Sequence, residues 1–170
     1  MTITGIIDHV GQPRTFELPS ATGGKKQMTA RGLRNNNPLN IRRTKTSSWA
    51  GMCDVQTDKS FCQFTKMRYG WRAAFMLLKL YYAQRKLHTI RQIVNRWAPP
   101  TDGNATEAYI TRVCAYSGIG PDAALLYLTD DSMAWLKIAM AMFAVECGNV
   151  HIDANEFIIG YVLAIKDEVK

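Results

Sequence analysis

The run RGLRNNNPLNIRR, from Arg31 to Arg43, is the most unusual local sequence of this chain. Three asparagines ahead of a proline cannot extend a helix, and their amides offer donors and acceptors together. Such groups either fix a tight turn by bonding nearby backbone or grip the hydroxyl and acetamido groups of a sugar. On the second reading Asn35, Asn36, Asn37 and Asn40 are substrate-binding candidates. Glu146 stands near the end of the strongly apolar run SMAWLKIAMAMFAVECG. Burial beside Met142 and Phe143 and the negative end of a helix both favour an uncharged acid there, the form that donates a proton to a glycosidic oxygen. The competing reading is a structural carboxylate paired with Arg34, Arg42 or Arg96. A glycoside hydrolase also requires a second carboxylate, roughly 5 Å away for retention or roughly 6.5 to 9.5 Å for inversion. Asp54, in the loop after Trp49-Ala50-Gly51, is the candidate, and a turn-forming aspartate is the alternative. Trp49 and Tyr109 offer aromatic faces to sugar rings, whereas Trp71 and Trp97 fall on helical apolar stripes and read as core.

Other chemistries find little to work with. His9, His88 and His151 are too scattered for a metal site or a Ser/His pair, and Gly23-Gly24-Lys25 lacks the rest of a phosphate-binding loop. Cys53, Cys62, Cys114 and Cys147 match no zinc spacing and read as free thiols, with a Cys53–Cys62 pair the alternative in an oxidising setting. Neither a metal nor a cofactor is expected. Glu107 falls in the first turn of a helix, where the helix dipole alone explains a negative charge.

These side chains must be held by a mainly helical domain. The expected fold class is mainly α, an α+β arrangement with one small β-hairpin, behind a basic N-terminal arm. Residues 1–30 read as the arm, with TITGIIDHVGQP able to form a strand and turn before a Gly/Ser/Pro linker; 31–170 read as the compact domain. Leu39 to Met67 suggest a small irregular sheet or hairpin. After Gly70 the apolar period lengthens, and Trp71, Ala74, Phe75, Leu78 and Tyr82 predict an amphipathic helix through Leu87 whose Arg72, Lys79 and Arg85 point away from the apolar stripe. A second helix starts at the Thr89 N-cap and stops at Pro99-Pro100. A third covers about Glu107 to Tyr116 with Gly118 as its cap, and GPDAALLYL suggests a short fourth. Asp130 or Asp131 caps the apolar helix carrying Glu146, expected at the centre of the fold. Asp153 and Glu156, in capping-box spacing, open the last.

The net charge of +7 is concentrated. No acid occurs between Glu17 and Asp54, while Lys25, Lys26, Arg31, Arg34, Arg42, Arg43 and Lys45 do. That segment suits an anionic polymer such as nucleic acid or the bacterial wall, or else is a solvated linker. The clean apolar run Ile138 to Val145 is far shorter than the ~20 residues of a membrane span. MTITGIIDHV has no basic-then-apolar design, so a conventional secretory signal is not expected.

The segments RGLRNNNPLNIR, Trp49-Ala50-Gly51, FCQF, GWRAAFMLL, IVNRWAPPTDGNATEAYI and VECG together resemble a family of phage and prophage proteins, commonly labelled virion structural proteins and placed near the lysozyme-like superfamily. The resemblance covers about residues 31–148, with NNNP and RWAPP its specific parts. The family pattern usually has Gly where Leu39 stands and Asn where Cys147 stands. Glu146-Cys147-Gly148 also resembles the Glu-Ser-Gly step at which lytic transglycosylases and goose-type lysozymes carry their catalytic acid; there the Asn-rich segment follows the Glu, so the order here implies a permuted arrangement. The resemblance implies a lysozyme-like body and two functions. One is cleavage of the peptidoglycan glycan strand by Glu146, by a single-Glu transglycosylase if no second acid exists. The other is a non-enzymatic virion component that binds DNA or capsid proteins through its basic arm. The implied setting is synthesis in the bacterial cytoplasm and action in the virion, periplasm or cell wall.

Overall fold

The computed structural model describes residues 30–167, so the expected arm, apart from Ala30, lies outside the described residues. Six α-helices occur among them: α1 (Arg31–Arg34), α2 (Met67–Ala83), α3 (Ile90–Trp97), α4 (Thr106–Ser117), α5 (Ser132–Cys147) and α6 (Ala154–Lys166), with a 3-10 turn at Pro100–Asp102. The mainly helical expectation holds. The hairpin does not: between Leu39 and Met67 only two isolated antiparallel bridges form, Arg42 with Phe61 and Met52 with Phe64. Side chains replace the missing ladder. Gln63 Oε1 accepts from the Thr57 and Asp58 amides at 2.6 and 3.0 Å, and Gln56 Nε2 donates to the Cys53 and Gln63 carbonyls, both at 2.8 Å. Backbone groups satisfied in this way have no need of a paired strand.

Capping follows the expected chemistry. The Thr89 hydroxyl accepts from the Gln92 amide at 3.2 Å, Asp131 accepts from Ala134 at 3.1 Å, and Asp153 accepts from Asn155 at 2.8 Å. Glu156, however, does not return to Asp153; it binds Arg68 of α2 through both its carboxylate oxygens. Gly118 ends α4 with φ +73°. Two boundaries shift. α2 starts at Met67 rather than after Gly70, and stops at Ala83, where Lys86 takes φ +56° and the Leu87 amide turns back to the Tyr81 carbonyl at 3.1 Å. The stretch GPDAALLYL forms no helix. Its backbone is spent on neighbours: the Pro121 carbonyl accepts from Arg91 at 2.9 Å, and the Leu125 amide donates to the His88 carbonyl at 2.8 Å.

The core is organised by two helices, not by α5 alone. In α5 only Met133 and Lys137 are exposed, but α2 has no exposed residue. Lys79 of α2 is 5% exposed, and its ammonium donates to the Ala164 and Asp167 carbonyls at the end of α6, while Arg72 pairs with Asp167. Lys79 is thus taken up by the open carbonyl end of α6, and Arg72 by the carboxylate of the residue that follows it. α2 packs on α6 and α4 on α5. Trp71, fully buried, meets Phe157 edge-on at 4.7 Å and Phe143 at 5.5 Å, and Phe75 meets Tyr161 at 5.1 Å. No helix among the described residues is long and apolar enough to cross a membrane.

Candidate functional site

Glu146 lies at the end of α5, and its surroundings are set by the Asn-rich turn. Gly32 of α1 makes the approach possible: a Cβ there would stand 2.7 Å from the Asn37 carbonyl oxygen and 2.8 Å from the Cys147 sulfur. Only a residue without a side chain lets the turn sit against the last turn of α5. Asn37, fully buried, locks the turn's shape, its Nδ2 donating to the Ile41 and Cys62 carbonyls at 3.0 and 2.9 Å and its Oδ1 accepting from the Ile41 amide at 2.8 Å. Asn36 and Asn40 take positive φ values of 48° and 51°, a conformation asparagine tolerates better than most residues. Leu39 is fully buried and keeps a φ outside the positive region, so it needs no glycine. Cys147, where the resembled family has Asn, rests its sulfur 3.5 Å from the Pro38 carbonyl.

Both oxygens of Glu146 receive neutral donors. Asn40 Nδ2 donates to Oε2 and the Tyr109 hydroxyl to Oε1, each at 2.9 Å. Burial, and secondarily the charge of Glu146, push the Tyr109 phenol well above its usual range, so it retains the proton it donates. Burial and the same charge push the Cys147 thiol up to about 11, leaving it an inert neighbour. Glu146 forms no ion pair with Arg42 or Arg96 among the described residues.

A cleft of about 720 Å³ opens over this carboxylate. The Asn-rich turn and the loop after it supply Asn40, Arg42, Thr44, Ser47 and Trp49 to one wall. Tyr81 of α2 and the Arg96-Trp97-Ala98-Pro99 segment supply the other, with Asp102 and Asn104 beyond it. Arg42 reaches across to Asp102 at 3.4 Å, and both side chains remain substantially exposed. The NNNPLN and RWAPP segments, distant in sequence, therefore meet at one cleft.

The expected site residues divide. Glu146, Asn40 and Trp49 line the cleft, and Tyr109 holds Glu146 from behind, itself 9% exposed. Asn35, Asn36 and Asn37 do not line it. They bond Asp58 at 2.7 Å, the Phe64 carbonyl at 2.9 Å and the loop backbone respectively, which is the turn-fixing alternative. Asp54 is exposed and absent from the lining; the second acid of the cleft is Asp102. Asp102, Arg96, Trp97 and Tyr81 were not legible as site residues, since Trp97 shares the apolar stripe of α3 and nothing local marks the others. Of the basic segment, Arg31 is bound by both oxygens of Asp58 at 2.7 Å and lies 4.5 Å from the Phe61 ring centre, and Arg42 is paired as above. The four cysteines are free, and no cluster that could hold a metal occurs among the described residues.

No family model matches the chain. Over 92 residues it is 40% identical to Protein P5 of Pseudoalteromonas phage PM2. The chain is similar to a phage protein. That likeness takes in 53% of the chain and 57% of the phage protein, so the chain spans little more than half the length of this relative.

Proposed function

We propose that this is a phage protein that acts as part of the virion, and that its cleft binds and cuts the glycan strand of peptidoglycan. The phage half of this reading is supported by the likeness to Protein P5 of phage PM2. The cleavage half rests on one observation, a carboxyl group held by two neutral donors at the base of an aromatic- and hydroxyl-lined cleft. Trp49 and Trp97 provide faces for sugar rings, and Thr44, Ser47 and Asn104 provide polar partners for their hydroxyls. Catalysis by Glu146 requires its acid form to give a proton to the bridging oxygen as the C1–O bond breaks. The resulting carboxylate then takes the proton from the sugar's own hydroxyl as that oxygen closes on C1, so no water is consumed. This single-acid course needs no second carboxylate, and Asp102 is engaged by Arg42. Asn40 and Tyr109 hold the carboxyl group in place and are positioning residues.

Clearing of peptidoglycan in a zymogram by the full chain, lost more than about a hundredfold in Glu146→Gln, is the expected result. Equal clearing by both proteins would reject the site, and no clearing by the parent would reject cleavage.

A second reading is a virion component without enzymatic activity, with DNA or capsid proteins bound through the basic segment. It is favoured by the phage likeness and by the run of cations between Lys25 and Lys45. Arg43 and Lys45 would join Arg31, Arg34 and Arg42 in such contacts, and a mobility shift of duplex DNA that weakens steeply with salt would support it.

A further inference from the structure

Within the proposed cleft the charges are unequally matched. Arg42 and Asp102 answer each other, and Glu146 is held by Asn40 and Tyr109. Arg96 is exposed at the same cleft and forms no ion pair among the described residues. Trp97, the last residue of α3, lines the same cleft, so a guanidinium and an indole are both offered to whatever enters. A cation with a rigid fork of donors beside an aromatic face is poorly used on a neutral sugar, whose hydroxyls Thr44, Ser47 and Asn104 already suit. It is well matched to a sugar ring bearing a carboxylate, with the ring on the indole and the carboxylate on the fork.

We propose that Arg96 is a specificity-determining residue that selects glycans carrying a carboxylate close to the sugar ring. The proposal rests on the glycan reading of the cleft. In peptidoglycan such a carboxylate has two sources: the lactyl group of a strand stripped of its peptides, where it is free, and the acidic residues of an attached peptide. Both present the same chemistry, and Arg96 reads that chemistry and not the backbone of the strand. Arg42 contributes less, because Asp102 competes for it.

Equilibrium binding of the full-length Glu146→Gln chain, which prevents turnover, separates the possibilities. The probes are peptide-stripped strands, the same strands methyl-esterified at the lactyl carboxylate, peptide-bearing strands, neutral chito-oligosaccharide and a duplex DNA. Stripped strands are expected to bind about tenfold more tightly than their esters, one charge-assisted contact's worth. Adding Arg96→Gln should abolish that preference while leaving chito-oligosaccharide binding and the thermal midpoint unchanged. Peptide-bearing strands that bind as tightly as stripped ones, with the same sensitivity to Arg96→Gln, assign the carboxylate to the peptide and uphold the proposal. Equal affinity for stripped and esterified strands, or a preference that survives Arg96→Gln, overturns it and leaves the glycan reading standing. Failure to bind any strand overturns both, as does DNA being the only probe that responds to Arg96→Gln.

Discussion

Asn37 shows why an asparagine in this turn is a structural residue. One side chain fills three backbone positions that a strand ladder would otherwise satisfy, and it is wholly out of solvent. Replacing it with Ala leaves the Cys62 carbonyl and the Ile41 amide buried without partners, at roughly 1 to 3 kcal/mol apiece before relaxation, while the Ile41 carbonyl keeps the Cys62 amide at 3.0 Å. Asn37→Ala is therefore expected to lower unfolding stability by at least about 2 kcal/mol, read from the urea midpoint. An unchanged midpoint would show that the turn does not depend on this cage. Asn40 differs only in where its amide points: toward Glu146, on a backbone of positive φ. Nothing in the letters N-N-N-P-L-N distinguishes these roles, because the amide is the same and only the fold decides which acceptor it meets.

At the scale of elements, the joint between the Asn-rich turn and α2 is made by a missing side chain. A Cβ on Gly70 would lie 1.9 Å from the Asn36 carbonyl oxygen and 2.7 Å from the Pro38 ring, and the first of these is backbone with no freedom to step aside. Gly to Ala inside a helix normally gains roughly 0.5 to 1 kcal/mol. Here the clash outweighs it, and Gly70→Ala should destabilise by about 2 kcal/mol or more; under the proposed glycan-cutting function it should also cost clearing, as the turn carrying Asn40 is displaced. Measuring the thermal midpoint and clearing on one preparation checks both. The helix periods, the Thr89, Asp131 and Asp153 caps and the Gly118 stop were all readable, since each is a local contest between a side chain and its own backbone. Three readings were not. The hairpin failed because glutamine side chains took the place of the ladder, the helix at GPDAALLYL because its backbone went to Arg91 and His88, and the course of Lys79 away from the core because α6 supplied carbonyls for its ammonium.

For the whole molecule, two carboxylates tie distant segments together. The Arg31 guanidinium, with lesser help from Asn35 and the Ser60 and Phe61 amides, holds Asp58 well below the usual carboxylate range, and Arg68 lowers Glu156 in the same way. A depressed carboxylate contributes stability that is in place above its unfolded value near ~4 and is lost as pH falls below that toward the folded value. The urea midpoint should therefore fall between about pH 5 and pH 2, and less steeply in Asp58→Asn. A parallel pH dependence in wild type and variant would assign the acid loss elsewhere.

Left to itself, the sequence determined the mainly helical class, most helix ends and three contributors to the cleft, Asn40, Trp49 and Glu146, because apolar period, capping and the oddity of the Asn-rich run are properties of neighbours in the chain. Tertiary structure alone decided that the turn and the RWAPP segment meet at the cleft that Glu146 lines, that Asp102 and not Asp54 is the second acid lining it, and that, among the described residues, Arg42 has an ion-pair partner while Arg96 has none. Those outcomes depend on which distant group arrives within about 3 Å of a donor, a distance that no local pattern encodes.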